Sequence, residues 1–366
     1  MWSTVEYSAA DAQAALEGDW SELFEANHSQ PLSKSFVWFQ AWNQSFGASY
    51  NITVICVRKD DQLVLVAPIL HEQQNFQVVS LNSARLACNG YSPSCSMLIS
   101  DSLVGGDLFR ALKSLIDFVD VPLFRVPLIS QSELKRLEAL DRLGENYLQG
   151  VERVRVTPMI DVSGDWDGYL AGRSKSFRKG LRRKLKRIEA TADVSVSKTI
   201  LESSDDPLLD EIFRTSGRSW KAESGADLSM ASQDRKFLLT LTDLLAAGRQ
   251  VVIWKMRVGS DLVAFEFQIQ FHGVAYPLRA DYDAAFADIS PGIVLLYHTI
   301  KDLFDDQTIV MYDSCADDYH YLTSWSQSIK EYSMLDLFAR YPKPRLVHSI
   351  KYKLLPQLRL FKKNQA

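Results

Sequence analysis

The stretch DYDAAFADISPGIVLLYHTIK, residues 281–301, predicts a helix that starts directly after a strand. Ser290 is a favourable N-cap residue, Pro291 suits the first helical position, and Gly292 leaves the first turn bare. Apolar side chains then recur at helical spacing and predict one buried face: Ile293, Leu296, Ile300, Leu303 and Phe304.

The start of this helix is a candidate anion site. Backbone amides in the first turn of a helix have no partner within the helix, and they can bind a negatively charged group. The candidate residues are Ser290, Pro291, Gly292, Ile293 and Val294. An ordinarily capped helix without a ligand is the alternative that this stretch leaves open.

Strands are predicted on both sides of the helix. The segment 249–283 contains three β-rich runs separated by Gly259-Ser260 and His272-Gly273, which indicates a three-strand meander. After the helix, TIVMYDS predicts a strand that ends at Asp313. Glu266 lies within the meander in LVAFEFQIQ. We favour a solvent-facing carboxylate there, and a buried base with a raised pKa is the alternative.

The first half of the chain repeats this order without an alignable sequence repeat. An aromatic helix at 31–47 precedes a hairpin of 51–59 and 62–70, and SCSMLIS predicts a further strand. A helix at 106–119 and the strand VPLFRVPLI follow. We therefore expect an α/β (α+β) fold with mixed, mainly antiparallel sheets flanked by helices. The expected divisions are 1–152, 153–341 and a basic tail, 342–366.

Composition excludes several classes of protein. The chain has 366 residues, of which 46% are hydrophobic and 23% charged, which is typical of a globular protein. The four cysteines form no CxxC pair or metal-ligand spacing, so we expect reduced thiols, no metal site and a cytoplasmic protein. The sequence predicts neither a signal peptide nor a membrane span.

A strongly basic segment stands out from this composition. Nine of the fifteen residues in 173–187 are Lys or Arg, whereas the rest of the chain has 32 basic and 45 acidic residues. An acidic body argues against a DNA-binding domain. The apolar residues in and just after the basic segment share one side of a helix, which predicts that this helix packs on the protein: Phe177, Leu181, Leu185 and Ile188. Arg178 and Arg182 could then contact an anionic substrate, and a solvated basic face is the alternative.

Two further segments carry candidate site residues. In YDSCADDYHYLTSW, residues 312–325, Asp318 or His320 could accept a proton and Tyr321 could donate one. A polar loop with a satisfied histidine is the alternative. In RTSGRSWKAESG, residues 214–225, Trp220 and Lys221 could form a substrate wall. A packing aromatic is the alternative for Trp220.

Several of these motifs, in this order, resemble the acetyltransferase-like domain of the GNAT superfamily often labelled CelD/BcsL-like, of cellulose biosynthesis. The Phe36 to Trp42 helix and the LVAPIL stretch also resemble it, so the likeness covers most of the chain. The chain departs from the family pattern at Asp288, where the family has Arg, and at Asp317 and Leu322. The matching positions are the basic segment, Ser219, Trp220, Lys221, Tyr282, Asp283, Phe286, Ser290, Pro291, Gly292, Asp313, Asp318, Tyr321 and Trp325.

The resemblance implies two tandem GNAT-like units, as in Fem-type aminoacyltransferases. It also implies acyl transfer from acetyl-CoA or another acyl-CoA to an amine or hydroxyl, with the donor phosphates at the helix that begins at Ser290. Tyr282 and Asp283 would then border the substrate, and Asp318, Tyr321 and Glu266 are the candidates for acid–base work. The implied acceptor is an amino sugar or another cell-envelope precursor, small or carried on a glycan or lipid.

Two other functions stay open at this point. One is an aminoacyl-tRNA-dependent aminoacyltransferase, in which the basic helix and tail would hold RNA phosphates. The other is a non-catalytic partner in polysaccharide biosynthesis, peripheral to the inner membrane. In that case the basic tail and its apolar residues would contact anionic lipid: Leu354, Leu355, Leu358, Leu360 and Phe361.

Overall fold

In a computed structural model, the chain is described over residues 1–27, 30–76, 79–138, 144, 146–225 and 227–357. It divides into two compact units. Unit 1 comprises Met1–Asn43, Gly47–Arg155 and the described part of Glu331–Ala366. Unit 2 comprises Gln44–Phe46 and Val156–Lys330.

The chain contains both strands and helices, as the sequence predicts. The strands are β1 (Trp2–Ser8), β2 (Asn51–Lys59), β3 (Gln62–Phe76), β4 (Val79–Leu86), β5 (Leu98–Ile99), β6 (Leu123–Ser130), β7 (Tyr147–Asp161), β8 (Val194–Ile200), β9 (Val251–Val258), β10 (Asp261–Phe271), β11 (Val274–Tyr282), β12 (Met311–Asp313) and β13 (Ser328–Ala339). The α-helices are α1 (Ala9–Ala15), α2 (Glu17–Glu25), α3 (Phe36–Phe46), α4 (Gly105–Val119), α5 (Gln131–Arg136), α6 (Trp166–Ala171), α7 (Lys175–Glu189), α8 (Pro207–Ser216), α9 (Ser232–Ala246), α10 (Pro291–Asp305), α11 (His320–Thr323) and α12 (Pro342–Ser349).

The sheet of unit 1 has the order β1-β2-β3-β4-β6-β13, and only β4 and β6 run parallel. The β2–β3 hairpin is confirmed, with Asp60 and Asp61 as its two-residue turn at φ 52° and 66°. An amphipathic helix, α4, packs its apolar side chains into the core of this unit: Leu108, Ala111, Leu112, Leu115 and Ile116.

The sheet of unit 2 has the order β8-β9-β10-β11-β12-β7, and only β11 and β12 run parallel. The three-strand meander is confirmed, with turns at Gly259-Ser260 and His272-Gly273. Helix α10 covers the face of the sheet that carries Trp254 and Ala264, and α7 packs beside it. The opposite face meets α8, whose Thr215 hydroxyl donates to the carbonyl of Leu262 at 3.0 Å.

The two sheets therefore share one strand order, but the strand that pairs with β6 and the strand that pairs with β12 are not the next ones along the chain. β7 precedes the other strands of unit 2, whereas β13 follows unit 2 and pairs with β6 of unit 1. This pairing explains the difference from the expected divisions. The first boundary falls at 155/156 instead of 152/153, and the chain from Glu331 onward groups with unit 1 instead of with the C-terminal unit.

The predicted tail is in part a folded piece of unit 1. Helix α12 continues into a π-helical turn, Ile350–Leu354, and Lys351 and Tyr352 bond to the carboxylate of Asp336 at 3.1 and 2.9 Å. Leu354 and Leu355 are exposed. The other predicted lipid-contacting residues, Leu358, Leu360 and Phe361, lie outside the described residues. Among the helices of the described ranges, none has the length and apolarity that a bilayer crossing requires.

Two element predictions need correction. SCSMLIS forms a strand only at Leu98–Ile99, because the chain before it follows an irregular path with Cys95 bridged to Leu128. The aromatic helix begins at Phe36 instead of near residue 31, since Ser35 caps it by accepting the amide of Trp38 at 3.2 Å.

Candidate active site

The parallel strands β11 and β12 separate soon after they meet. Their register covers two pairs, Val274 with Met311 and Ala275 with Tyr312, whereas β11 continues to Tyr282. Beyond Ala275, the carbonyl of Ala280 on β11 accepts a hydrogen bond from the Lys221 ammonium at 2.9 Å. We call the space between Tyr276–Tyr282 and the chain after Asp313 the β11–β12 gap.

Glu266 lies on β10 beside this gap and is buried, with 3% of its surface exposed. Our favoured expectation of a solvent-facing carboxylate is wrong, because α10 covers this face of the sheet. The Glu266 carboxylate accepts the Gln268 amide N–H at 3.1 Å and the Tyr312 hydroxyl at 3.1 Å. Burial raises its pKa to about 7, although both hydrogen bonds oppose the shift. The carboxyl group can therefore exchange a proton near neutral pH.

Tyr321 approaches Glu266 from α11. Its ring is half exposed and stacks on Tyr319 with centroids 6.1 Å apart. Partial burial, followed by the negative charge of Glu266, raises the pKa of Tyr321 to about 12, so its phenol keeps its proton at neutral pH. The other predicted acid–base residue, Asp318, is exposed and has no hydrogen bond to either side chain in the described chain. Tyr321 is thus near enough to Glu266 for the charge of that carboxylate to raise its pKa, although no hydrogen bond joins the two side chains within the described chain.

A charged cluster occupies the opposite face of the sheet, around Asp281. Its buried carboxylate forms ion pairs with Lys221 at 2.5 Å and Arg279 at 2.6 Å, and accepts the Ser216 hydroxyl at 2.6 Å. Burial lowers the pKa of Lys221, and the charge of Asp281 opposes that shift. Neither Arg279 nor Asp281 is among the site residues that the sequence motifs predict. Their i, i+2 spacing on β11 is the signal that would have found them.

Trp220 directly precedes Lys221 of this cluster and is not a packing residue. Its side chain is 58% exposed at the start of the short 3₁₀ helix Trp220–Ser224, so the packing alternative is wrong. Lys221, its predicted partner in a substrate wall, is instead anchored to Asp281.

The segment that enters α10 is held by Asp283. One oxygen of its carboxylate accepts the Ala285 amide at 3.0 Å, and the other accepts Arg218. The Asp283 side chain therefore caps the 3₁₀ helix Ala284–Ile289. The ring of Tyr282 lies so close to Gly292 that a Cβ there would meet it at 3.4 Å.

The predicted N-cap role of Ser290 needs correction. Ser290 adopts a left-handed conformation, φ 57°, and its side chain forms no capping hydrogen bond. Its carbonyl instead accepts the amides of Ile293 and Val294 at 3.1 and 3.2 Å. Of the amides predicted to face an anion, only that of Gly292 donates to no acceptor within the described chain.

The basic helix α7 docks as predicted. Leu181 is buried, and the Phe177 ring meets the edge of Trp325 at 4.9 Å. The Arg187 guanidinium donates to the main-chain carbonyl of Asp288, which places a cation at the loop that leads into α10. Arg178 is half-buried and Arg182 is exposed, and neither has a carboxylate partner among the described residues.

Unit 1 has the same pair of parallel strands, but its chain fills the corresponding gap. Beyond the β4–β6 pairing, Cys95 and Leu128 exchange backbone hydrogen bonds of 2.7 and 3.4 Å, and β5 pairs with β3. The segment 95–99 thus lies between β3 and β6. All four cysteines of the chain are free thiols, and no cluster of three metal-ligating side chains occurs within the described ranges.

Comparison with known proteins identifies the fold. Residues 175–322 match the family model described as Acetyltransferase (GNAT) domain. The crystal structure of FemX is similar with a TM-score of 0.54 and 11% identity, over 96% of this chain and 100% of that one. A tandem GNAT protein from the clavulanic acid biosynthesis pathway is similar with a TM-score of 0.51 and 11% identity, over 93% of this chain and 99% of that one.

Among curated proteins, none matches the chain by sequence. The narrower CelD/BcsL resemblance therefore stays a prediction. The likeness to FemX and to the tandem GNAT protein extends through both units, and the family match lies in unit 2. The chain therefore has the mixed α/β fold of FemX and of the tandem GNAT protein, and residues 175–322 match the GNAT domain model.

Proposed function

We propose that unit 2 is an acyl-CoA-dependent N- or O-acyltransferase of the GNAT type, most directly an acetyltransferase. The observation that carries the proposal is Glu266, a buried carboxyl group beside the β11–β12 gap whose pKa is raised to about 7 by burial. A buried acid with such a pKa can act as a general base at neutral pH.

Two side chains supply the proton transfers in this proposal. The acceptor amine or hydroxyl attacks the thioester carbonyl, a C–N or C–O bond forms, and Glu266 takes the proton of the nucleophile. When the C–S bond breaks, the thiolate needs a proton, and Tyr321 carries one because its pKa is raised to about 12. Asp318, which is exposed, is left as a candidate for relaying the proton to solvent.

The start of α10 is the proposed site for the donor phosphates. Gly292 offers a free amide at a position without a side chain, and Arg187 brings a cation to the adjacent loop. This cation offsets the acidic Asp288, which stands where the resembling family has Arg. Arg178 and Arg182 share a different side of α7 and add positive charge to the same helix. The fit of these residues to a phosphate group supports acyl-CoA as the donor.

Unit 2 is a better candidate than unit 1 for a structural reason. In unit 2 the pairing of β11 with β12 ends at Ala275 and Tyr312, whereas in unit 1 the segment 95–99 lies between β3 and β6 at the corresponding position. The matched family model also lies within unit 2. We therefore assign one donor site to each chain.

For the acceptor, we propose an amino sugar or another cell-envelope precursor. Trp220, Tyr319 and Tyr321 are exposed aromatic side chains of unit 2, and they suit a ring-shaped acceptor. Lys221 and Asp283 are held by Asp281 and Arg218, so we assign them to building the site instead of contacting substrate.

A second candidate function is aminoacyl transfer from tRNA. Among the described residues, seven cations of α7 have no carboxylate partner and would suit RNA phosphates: Lys175, Arg178, Lys179, Arg182, Arg183, Lys184 and Lys186. Steeply salt-dependent RNA binding would favour this function over the first.

Isothermal titration calorimetry with acetyl-CoA tests the proposal. We expect binding by the wild type at one site per chain and its loss in Gly292→Trp, which fills the start of α10. Gly106→Trp is the matched control, because Gly106 is at the equivalent start of α4 and an added Cβ there would meet no atom within 4 Å. Loss of binding in Gly106→Trp alone would move the site to unit 1. No binding of acetyl-CoA or longer acyl-CoAs would reject the coenzyme A donor.

A further inference from the structure

Three polar side chains form a ladder on one face of β10. Gln270 donates an amide N–H to the amide oxygen of Gln268 at 2.8 Å, and Gln268 donates to the Glu266 carboxylate at 3.1 Å. Alternation along a strand places all three on the same face. Gln268 is fully buried, and Gln270 is half-buried near the His272-Gly273 turn.

This ladder stands in the core of unit 2. The alternating positions of β10 are buried aromatic and aliphatic residues, Phe265, Phe267 and Ile269. A primary amide in such a place is unfavourable unless its hydrogen bonds are satisfied. Each amide donates toward Glu266, Gln270 to Gln268 and Gln268 to the carboxylate. The Gln268 side chain thus gives Glu266 a hydrogen-bond donor.

We propose that Gln268, supported by Gln270, is a positioning residue that orients the Glu266 carboxylate and stabilises its charged form. The inference rests on the acyltransferase function proposed above. Two groups donate hydrogen bonds to the carboxylate, the Gln268 amide to one oxygen and the Tyr312 hydroxyl to the other. Hydrogen bonds to a carboxylate favour its charged form and oppose the effect of burial. Without them the base would stay protonated at neutral pH.

The surroundings of Glu266 leave these two donors as the main counterweight to burial. β9 places Trp254 opposite Glu266 and β11 places Ala280 there, and neither is charged. The charged cluster around Asp281 lies on the other face of the sheet, toward α8. From α11, Tyr321 faces the carboxylate with a protonated phenol. The titratable side chains of α10 are half-buried or exposed: Tyr297, His298, Lys301, Asp302 and Asp305.

The test replaces each donor by a side chain of similar size without a hydrogen-bond donor. The variants are Gln268→Met, Gln270→Met and Tyr312→Phe in the full chain. The Glu266 carboxyl is titrated by infrared difference spectroscopy with ¹³C-labelled glutamate, and Glu266→Gln identifies its band. We expect a wild-type midpoint near 7 and an upward shift of about one pH unit in Gln268→Met. Gln270→Met should give a smaller shift in the same direction.

Activity provides the second readout. Because the base acts in its charged form, kcat/KM of Gln268→Met should fall about fivefold at pH 7 and recover by about pH 9. A loss of activity that is equal at every pH would indicate a merely structural role.

Identical infrared midpoints in wild type and both glutamine variants would overturn the inference. Because Gln270 is only half-buried, its variant keeps the test available if Gln268→Met does not fold. The two proposals also fail separately. If the midpoint shifts but the wild type transfers no acyl group, the acyltransferase function is rejected and the effect of Gln268 on the carboxylate stands.

Discussion

Glu266 makes the stability of the folded chain depend on pH, with or without a substrate. Its pKa is raised by burial from an ordinary value of 4.5 to about 7. Between these values the folded chain holds a proton that the unfolded chain releases. Unfolding therefore releases a proton, and a higher pH favours it. The free energy of unfolding falls for this reason as pH rises from about 4.5 to about 7.

Replacing Glu266 by Gln should remove this pH dependence. Gln keeps the shape of the side chain and carries no charge, so the variant should exceed the wild type in free energy of unfolding by up to about 3 kcal/mol at pH 8. The gain should largely vanish near pH 5. Urea denaturation at pH 5 and pH 8 measures the difference.

An exposed glutamate provides the control for this prediction. Glu202 is 77% exposed on its side chain and pairs with Arg249 at the surface. Glu202→Gln should change stability little at either pH, because exposed ion pairs contribute little. A Glu266→Gln difference that is the same at pH 5 and pH 8 would show that Glu266 titrates normally.

The sequence could name Glu266 but could not place it. Its neighbours Phe265 and Phe267 indicate that the two faces of β10 differ, but not that α10 covers the glutamate face. The partner that identifies the site, Tyr312, is 46 residues further along the chain. Ser290 illustrates the same limit, since its residue type favours capping whereas its left-handed backbone redirects the carbonyl to Ile293 and Val294.

At the scale of elements, local sequence patterns predict a helix or hairpin correctly where neighbouring residues alone determine its structure. The β2–β3 hairpin, the meander and the helices α7 and α10 follow from periodicity and turn residues. The segment before β5 shows where this fails. Cys95 bonds to Leu128 because it fills a gap between strands, and no periodicity in SCSMLIS records that contact.

The turn of the β2–β3 hairpin gives a prediction at this scale. Asp61 has a φ of 66°, where a side chain is strained and glycine is not. Asp61→Gly should therefore stabilise the chain by about 0.5–1 kcal/mol, and Asp61→Ala should destabilise it by a similar amount. Arg58 bonds the carbonyl of Asp61, so both variants keep that contact. Thermal unfolding compares them, and equal melting temperatures for the Gly and Ala variants would contradict the prediction.

At the scale of the whole molecule, the order of strands along the chain differs from their order in the sheets. β13 follows unit 2 yet pairs with β6, and Arg125 and Asp336 meet across 211 positions of sequence. Sequence patterns predicted the repeated order of elements but assigned residues 331–341 to the wrong neighbours. We call β13 an exchanged strand, because it follows unit 2 in the chain but belongs to the sheet of unit 1. Only its pairing with the distant strand β6 reveals this, and no local sequence pattern records that pairing.

The exchanged strand predicts that a substitution near the C-terminus weakens the unit that contains the N-terminus. The Asp336 carboxylate is fully buried and accepts hydrogen bonds from Nε and Nη2 of Arg125 at 2.7 and 3.0 Å. Lys351 and Tyr352 also donate to it. Burial would raise its pKa, but the charges of Arg125 and Lys351 outweigh that effect and lower it. Asp336→Asn removes the charge and leaves two cations without it, so unit 1 should lose about 3–5 kcal/mol.

Hydrogen exchange with mass spectrometry locates this loss. Amides of β4 and β6 should exchange faster in Asp336→Asn, whereas those of β9 and β10 should keep their wild-type rates, because each unit has its own core. Asp117→Asn is the control within unit 1, since Asp117 is a half-exposed partner of Lys113 on α4 and contributes little. Faster exchange in β9 and β10 to the same degree would mean that the two units unfold together. We also expect Asp336→Asn to bind acetyl-CoA as the wild type does, because the proposed donor site lies in unit 2 and the substitution weakens unit 1.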